Sequence, residues 1–221
     1  MFRGAPTLPH PDLDSTLQNA TASLRNEPVQ ARSAARLTRL LDSAAEVIDE
    51  IGYERLTTAM VAERAGASIG TVYRYFPDRI AVLQSLSVRF LTDFVQEVGE
   101  ALRADTVTGW SEAMDAVIET AVKSFATKPG FRSLRFGDVI DVRPREGDRT
   151  NGAVVAAVIV SAISEQVDSP ESELQLRIEV ALQIIDALLA RAFAFDANGD
   201  QAVIDEIRTA VHGYLAPQFA A

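Results

Sequence analysis

The tightest constraint on this chain is the punctuation within residues 56–83, LTTAMVAERAGASIGTVYRYFPDRIAVL. Ala59, Val61, Ala62 and Ala65 fall at helical spacing, and Gly66 then breaks the helix. Ser68 follows, and its hydroxyl can accept the orphan amide hydrogens of a new first turn, which predicts a second short helix over residues 69–75. Pro77 has no amide hydrogen to donate and fits only the first turn of a third helix. Helices cut this short bury an apolar face only by packing on one another. Helix, tight glycine turn, helix is also the plan whose second helix enters the DNA major groove.

The flanking sequence extends the helical reading. Over residues 33–51, Leu37, Leu40, Leu41, Ala44, Ala45, Val47, Ile48 and Ile51 recur at helical intervals, and Gly52 is placed to close that helix. After Pro77 the stripe Val82, Leu83, Leu86, Phe90, Leu91, Phe94, Val95, Val98 and Leu102 predicts a long helix running out of the reading head with no flexible linker. Further helices are expected over residues 110–128, 131–138, 153–167 and 170–195. The last of these has Ser169 as cap and Pro170 as its first residue, and a final helix should end near Leu215, before Pro217. Residues 1–30, with Pro6, Pro9, Pro11 and Pro28, read as a flexible arm. No internal repeat and no strand hairpin stands out. The expectation is an all-α chain.

Thr57-Thr58, Val61-Ala62, Ala65-Gly66-Ala67-Ser68, Gly70-Thr71 and Tyr73-x-Tyr75-Phe76 stand in the order and spacing of the TetR family, so residues 33–85 closely resemble that family of ligand-responsive repressors. The resemblance implies a three-helix helix-turn-helix DNA-binding domain over residues 31–78. It also implies a larger helical effector-binding and dimerisation domain over residues 79–221. Positions matching Thr58, Thr71, Tyr73, Tyr75 and Arg79 meet DNA in the family, and Arg79 keeps the charge of the more usual lysine.

The residues suit such a role on their own chemistry. Thr71 is short and near the helix start, Gly70 allows close backbone approach, and Ser68 caps. Tyr73 and Tyr75 can place hydroxyls on phosphates, and Arg74 can reach a guanine edge. Arg36 sits with Arg32 and Arg39 near a helix start, where the dipole disfavours cations unless an anion compensates them.

A formal net charge of −10 at first opposes nucleic-acid binding. Its distribution removes the difficulty. Residues 31–80 hold seven arginines and seven acidic residues, whereas residues 81–221 carry a net charge of −9. A helix of about 25 residues is roughly 37 Å long, several times the Debye length of about 8 Å. Distant acidity is therefore screened, and the local arginines decide the contact.

Family resemblance also implies an effector cavity, with candidate walls Phe90, Phe94, Met114, Ile118, Phe125, Phe131 and Leu134. Arg135 and Asp138, with Arg132 and Asp141, would fix a polar group on an otherwise apolar or aromatic ligand. Ile184, Ile185, Leu188 and Leu189, with Val203, Ile207 and Val211, exceed what one core face needs, and the resemblance implies a two-fold homodimer through these last two long helices. The expected partners are then a palindromic double-stranded DNA operator, a small-molecule effector and a second copy.

Enzyme chemistry finds little support. The chain has no cysteine and two histidines, His10 and His212, and it lacks HExxH, GxSxG and P-loop signatures. No catalytic residue, metal or cofactor is expected. No signal-peptide pattern or apolar run of membrane-spanning length occurs, so a cytoplasmic location is expected. The competing expectation is a helical ligand-binding or scaffold protein whose helix-turn-helix no longer binds DNA.

Overall fold

The computed structural model describes residues 31–134, 150–164 and 170–219. Among them there are helices and no strands. In chain order they are α1 (Ala31–Ile51), a 3-10 turn (Tyr53–Arg55), α2 (Thr58–Ala65), α3 (Ile69–Tyr75), α4 (Arg79–Ala101) and α5 (Trp110–Thr127). Then come α6 (Phe131–Leu134), α7 (Asn151–Ile163), α8 (Glu171–Ala192) and α9 (Gln201–Phe219). The expected arm over residues 1–30 lies outside the described residues, as do Ser169 and Asp141.

These helices form two compact units, and the division falls inside α4, between Leu91 and Thr92. The first unit holds α1, the 3-10 turn, α2, α3, the start of α4, and α6. Its core is drawn from every one of its longer helices: Leu40, Ala44 and Ile48 of α1, Val61 of α2, Val72 of α3, and Val82, Leu83 and Leu86 of α4 are all buried. The buried residues of α4 follow the helical stripe read from the sequence, and its first part, Arg79 to Leu91, belongs to this first compact unit. Arg89 adds an ion pair to Asp42 at 2.6 Å.

The second unit contains the remainder of α4, with α5, α7, α8 and α9. Thr150 caps α7 by accepting from the Ala153 N–H, and Gln175 of α8 donates to the Ala153 carbonyl at 3.0 Å. Between α8 and α9, Asp200 accepts from the N–H groups of Ala202 and Val203 and so begins the last helix. Gly199 has φ +84°, and a Cβ there would lie 2.8 Å from the Phe193 ring. The turn is thus glycine by necessity.

Three helix ends differ from expectation. Pro77 lies before α4 rather than in its first turn, because Asp78 takes the cap and accepts from the Ala81 N–H at 2.8 Å. Pro170 is the cap residue of α8, which starts at Glu171 and ends at Ala192. α9 does not stop before Pro217 but continues through it to Phe219. The reason is tertiary. Phe219 stacks on Trp110 of α5, with ring centroids 4.5 Å apart and planes 11° from parallel, which offsets the hydrogen bond that proline cannot make.

Candidate nucleic-acid interface

α2 and α3 are both capped as their sequence requires. Thr57 adopts an extended conformation and its side chain accepts from the Met60 N–H at 3.2 Å. Gly66 ends α2 in the left-handed region, φ 61°, and the Ala67 N–H reaches back to the Ala62 carbonyl at 2.9 Å. Ser68 then accepts from the Thr71 N–H at 3.2 Å and starts α3. Three local devices therefore set where the two helices begin and end, and two of them, Gly66 and Ser68, form the turn between them.

α3 has two unlike faces. Val72 and Phe76 are fully buried, and Tyr75 is nearly so. Gly70, Tyr73 and Arg74 are exposed, Tyr73 by 48 %, and Thr71 is half-buried. Thr58, at the start of α2, donates to the Tyr73 hydroxyl over a long 3.4 Å. Thr58, Gly70, Thr71, Tyr73 and Arg74 thus share one accessible surface built by two helices. Ser68 contributes mainly locally, since its Oγ lies 2.9 Å from Thr71 Oγ1 besides capping the helix.

Tyr75 was expected to offer its hydroxyl outward. It is instead turned into the core, where its hydroxyl shares a 3.0 Å hydrogen bond with Ser33 of α1. Burying a tyrosine ring requires a partner for the hydroxyl, and α1 supplies one. Arg79 is exposed, and its Nη1 donates to the Glu54 carbonyl at 2.6 Å, which fixes the guanidinium beside the 3-10 turn. Arg36 is exposed on α1. Arg64 is committed elsewhere, bridging Glu46 at 3.2 Å and Glu50 at 2.6 Å. That bond holds the Glu50 carboxyl below its ordinary range, the hydrogen bond from Arg64 being the main cause.

The candidate effector residues divide between the two units. In the first, Phe90, Phe131 and Leu134 are buried, and the Phe90 and Phe131 rings meet edge-on at 5.3 Å. In the second, Phe94, Met114, Ile118 and Phe125 are buried. Phe125 also faces Phe193 at 5.5 Å, a partner the sequence analysis did not single out because it lies just past the end of α8. Ser124, next to Phe125, is fully buried and its Oγ has no hydrogen-bond partner. Arg135 and Asp138 lie outside the described residues.

His212 packs against Trp110, with Nε2 3.1 Å from Asp115 Oδ1. Among the described residues no cluster of His, Cys, Asp or Glu could hold a metal ion. No described helix is long and apolar enough to cross a membrane.

Comparison with known proteins adds the following. The family described as "Bacterial regulatory proteins, tetR family" matches residues 40–86, and "Tetracyclin repressor-like, C-terminal domain" matches residues 108–219. The HTH-type transcriptional repressor KstR of Rhodococcus jostii is 35 % identical over 71 residues, 32 % of this chain and 34 % of that protein. The fatty acid metabolism regulator protein of Bacillus subtilis is 32 % identical over 105 residues, 48 % of this chain and 52 % of its own length. The matches thus span 34 % and 52 % of the length of these two curated relatives. Among solved structures, a TetR-family transcriptional regulator from Streptomyces coelicolor is 31 % identical with a TM-score of 0.69, over 83 % of this chain and 99 % of that one.

Proposed function

Because the chain belongs to the TetR family of bacterial transcriptional regulators, we propose that it is a repressor that binds a palindromic operator as a homodimer and releases it when a small-molecule effector binds. Proteins of this family are regulators rather than enzymes. One observation carries the DNA-binding reading. α3 buries Val72, Tyr75 and Phe76 yet leaves Tyr73 48 % exposed beside Arg74, Gly70 and Thr71. A tyrosine ring left in water on a helix that has a core to join suits a surface that meets a duplex. In this reading Thr58, Thr71, Tyr73 and Arg74 face the DNA directly, Arg36 and Arg79 add positive charge, Ser68 and Gly70 shape the approach, and Tyr75 holds the reading helix in place. The relatives named as repressors support repression.

Of the seam residues expected from the sequence, Ile185, Leu189, Ile207 and Val211 are buried in the core of their own unit, so the support for dimerisation comes from elsewhere on α8. Leu176 and Val180 stand one helical turn apart and are both exposed, Leu176 by 61 %, and Phe195 beyond the helix end is 93 % exposed. Two copies joined there would carry two reading helices, as a two-fold palindromic site requires. The effector reading rests on the second unit. Met114, Ile118 and Phe125 of α5 are apolar and buried, and Ser124 of the same helix is buried with a hydroxyl that lacks a partner, which suits a largely apolar ligand carrying one hydrogen-bonding group. Such a ligand releases the operator only by binding the DNA-incompetent arrangement more tightly. A cytoplasmic location follows from this role.

Selecting bound sequences from random double-stranded DNA, and repeating the selection with panels of largely apolar small molecules that carry one hydrogen-bonding group, tests the proposal. A symmetric motif, lost with one ligand class, is expected. Absence of any enriched motif at low salt would instead favour a helical scaffold that has lost DNA contact.

A further inference from the structure

Apart from the exposed Arg74, the side chains at the start of the reading helix offer few free hydrogen-bonding groups. Ser68 and Thr71 bond to each other through their hydroxyls, and Ser68 is also used as a cap. Ala59 and Gly70 have no polar side chain, and the Tyr73 hydroxyl accepts from Thr58. Against this background Ile69, the first residue of α3, is 42 % exposed although Val72 on the same helix is fully buried. An isolated exposed isoleucine needs no explanation by itself. This one stands one helical turn before Tyr73, on the same edge of α3, and immediately before Gly70. A Cβ on Gly70 would meet only Ser68 Oγ, at 3.9 Å, so the surface beside Ile69 is open. Its apolar branch is therefore continuous with the surface proposed to meet DNA.

Resting on the operator reading above, we infer that Ile69 selects sequence by apolar contact with the C5-methyl group of a thymine in the major groove. Thymine alone among the four bases projects a methyl group there; cytosine carries hydrogen at the same ring position. Ile69 thereby distinguishes thymine from cytosine at one position of each half-site without a hydrogen bond.

The test uses the full chain and the operator obtained by random selection. Each thymine of one half-site is replaced in turn by 2′-deoxyuridine, which keeps every hydrogen bond and removes only the methyl. Competition binding at fixed salt is then run for the natural protein and for Ile69→Ala. At one position the natural protein should lose about four-fold in affinity, the effect of one buried methyl-sized group, while Ile69→Ala shows no change there. Other positions should behave alike in both proteins. Ile69→Ala leaves the buried face of α3 intact, and an unchanged thermal melt checks that. Equal deoxyuridine effects in the two proteins, or none in either, would overturn the inference while leaving the operator reading intact. Failure of both proteins to enrich any sequence would overturn both.

Discussion

The backbone N–H of Gly130 donates to the Asp49 carboxylate at 2.9 Å, joining residues 81 apart in sequence. Asp49 belongs to α1 of the DNA-binding unit, and Gly130 precedes α6. The approach is close enough that a Cβ on Gly130 would lie 2.8 Å from the Ala45 carbonyl oxygen, and its φ of +74° already favours glycine. Just beyond, Phe131 is fully buried and edge-on to Phe90.

Gly130→Ala should therefore be among the most disruptive single-methyl changes in the chain. The left-handed backbone alone costs roughly 1–3 kcal/mol for a residue with a side chain, and the clash with Ala45 adds to it. Asp49→Ala should cost about 1–3 kcal/mol, because it leaves a buried N–H without an acceptor. Urea unfolding followed by circular dichroism measures both. A Gly130→Ala midpoint equal to that of the natural protein would show that the turn is not held as described.

The two tyrosines of α3 should respond in opposite ways. Tyr73→Ala, at an exposed site, should change unfolding free energy by no more than about 0.5 kcal/mol while weakening operator binding at least several-fold. Tyr75→Phe should cost about 0.5–1.5 kcal/mol of stability through the lost hydrogen bond to Ser33. A double-mutant cycle with Ser33→Ala should show that these two losses are coupled. Gel-shift affinity and chemical unfolding, run on the same preparations, separate the two roles.

Acid should loosen the Arg64 bridge between α1 and α2. Glu50 has a folded-state pKa below its ordinary value, chiefly through the Arg64 hydrogen bond. Its contribution to stability is therefore fully present above the unfolded value of about 4.3 and is lost as pH falls through the lower folded value. Glu50→Gln should lower stability slightly at neutral pH and converge with the natural protein in acid, flattening the acid limb of the stability curve. Added salt should shrink the difference, since the pair is exposed. Urea midpoints measured from pH 3 to pH 7 decide it.

Charge placed on the exposed stripe of α8 should prevent self-association. Leu176→Glu and Val180→Glu change residues that contribute little to their own unit's core, so each monomer should stay folded. Sedimentation velocity at micromolar concentration should show the natural protein as a dimer and the double variant as a monomer with greatly weakened operator binding. A monomeric natural protein would remove the two-fold operator from the proposal.

The reading head was legible because its signals are local. Thr57, Gly66 and Ser68 act on hydrogen bonds a few residues away, so the order of residues alone predicts two short helices and the turn between them. The apolar stripes of α1 and α4 could be read for the same reason. Which candidate site residues face outward was not legible. Tyr73 and Tyr75 are chemically identical and two positions apart, and the packing of α3 decides which is taken inward: Tyr75 lies with Val72 and Phe76 on the buried face, where Ser33 of α1 meets its hydroxyl. Ile69 carried no polar signal, so nothing in its chemistry suggested a role until its exposure was seen.

The division between the two kinds of information follows from range. The sequence determined where helices start and stop wherever a cap or a left-handed glycine sets the end, because those groups bond within a single turn. Tertiary structure decided the exceptions. Pro217 is carried inside α9 because Trp110, over a hundred residues earlier, stacks on Phe219, and Asp49 is spent on Gly130. A local rule fails where a distant side chain supplies the interaction that the local chain lacks, and no periodicity records that partner.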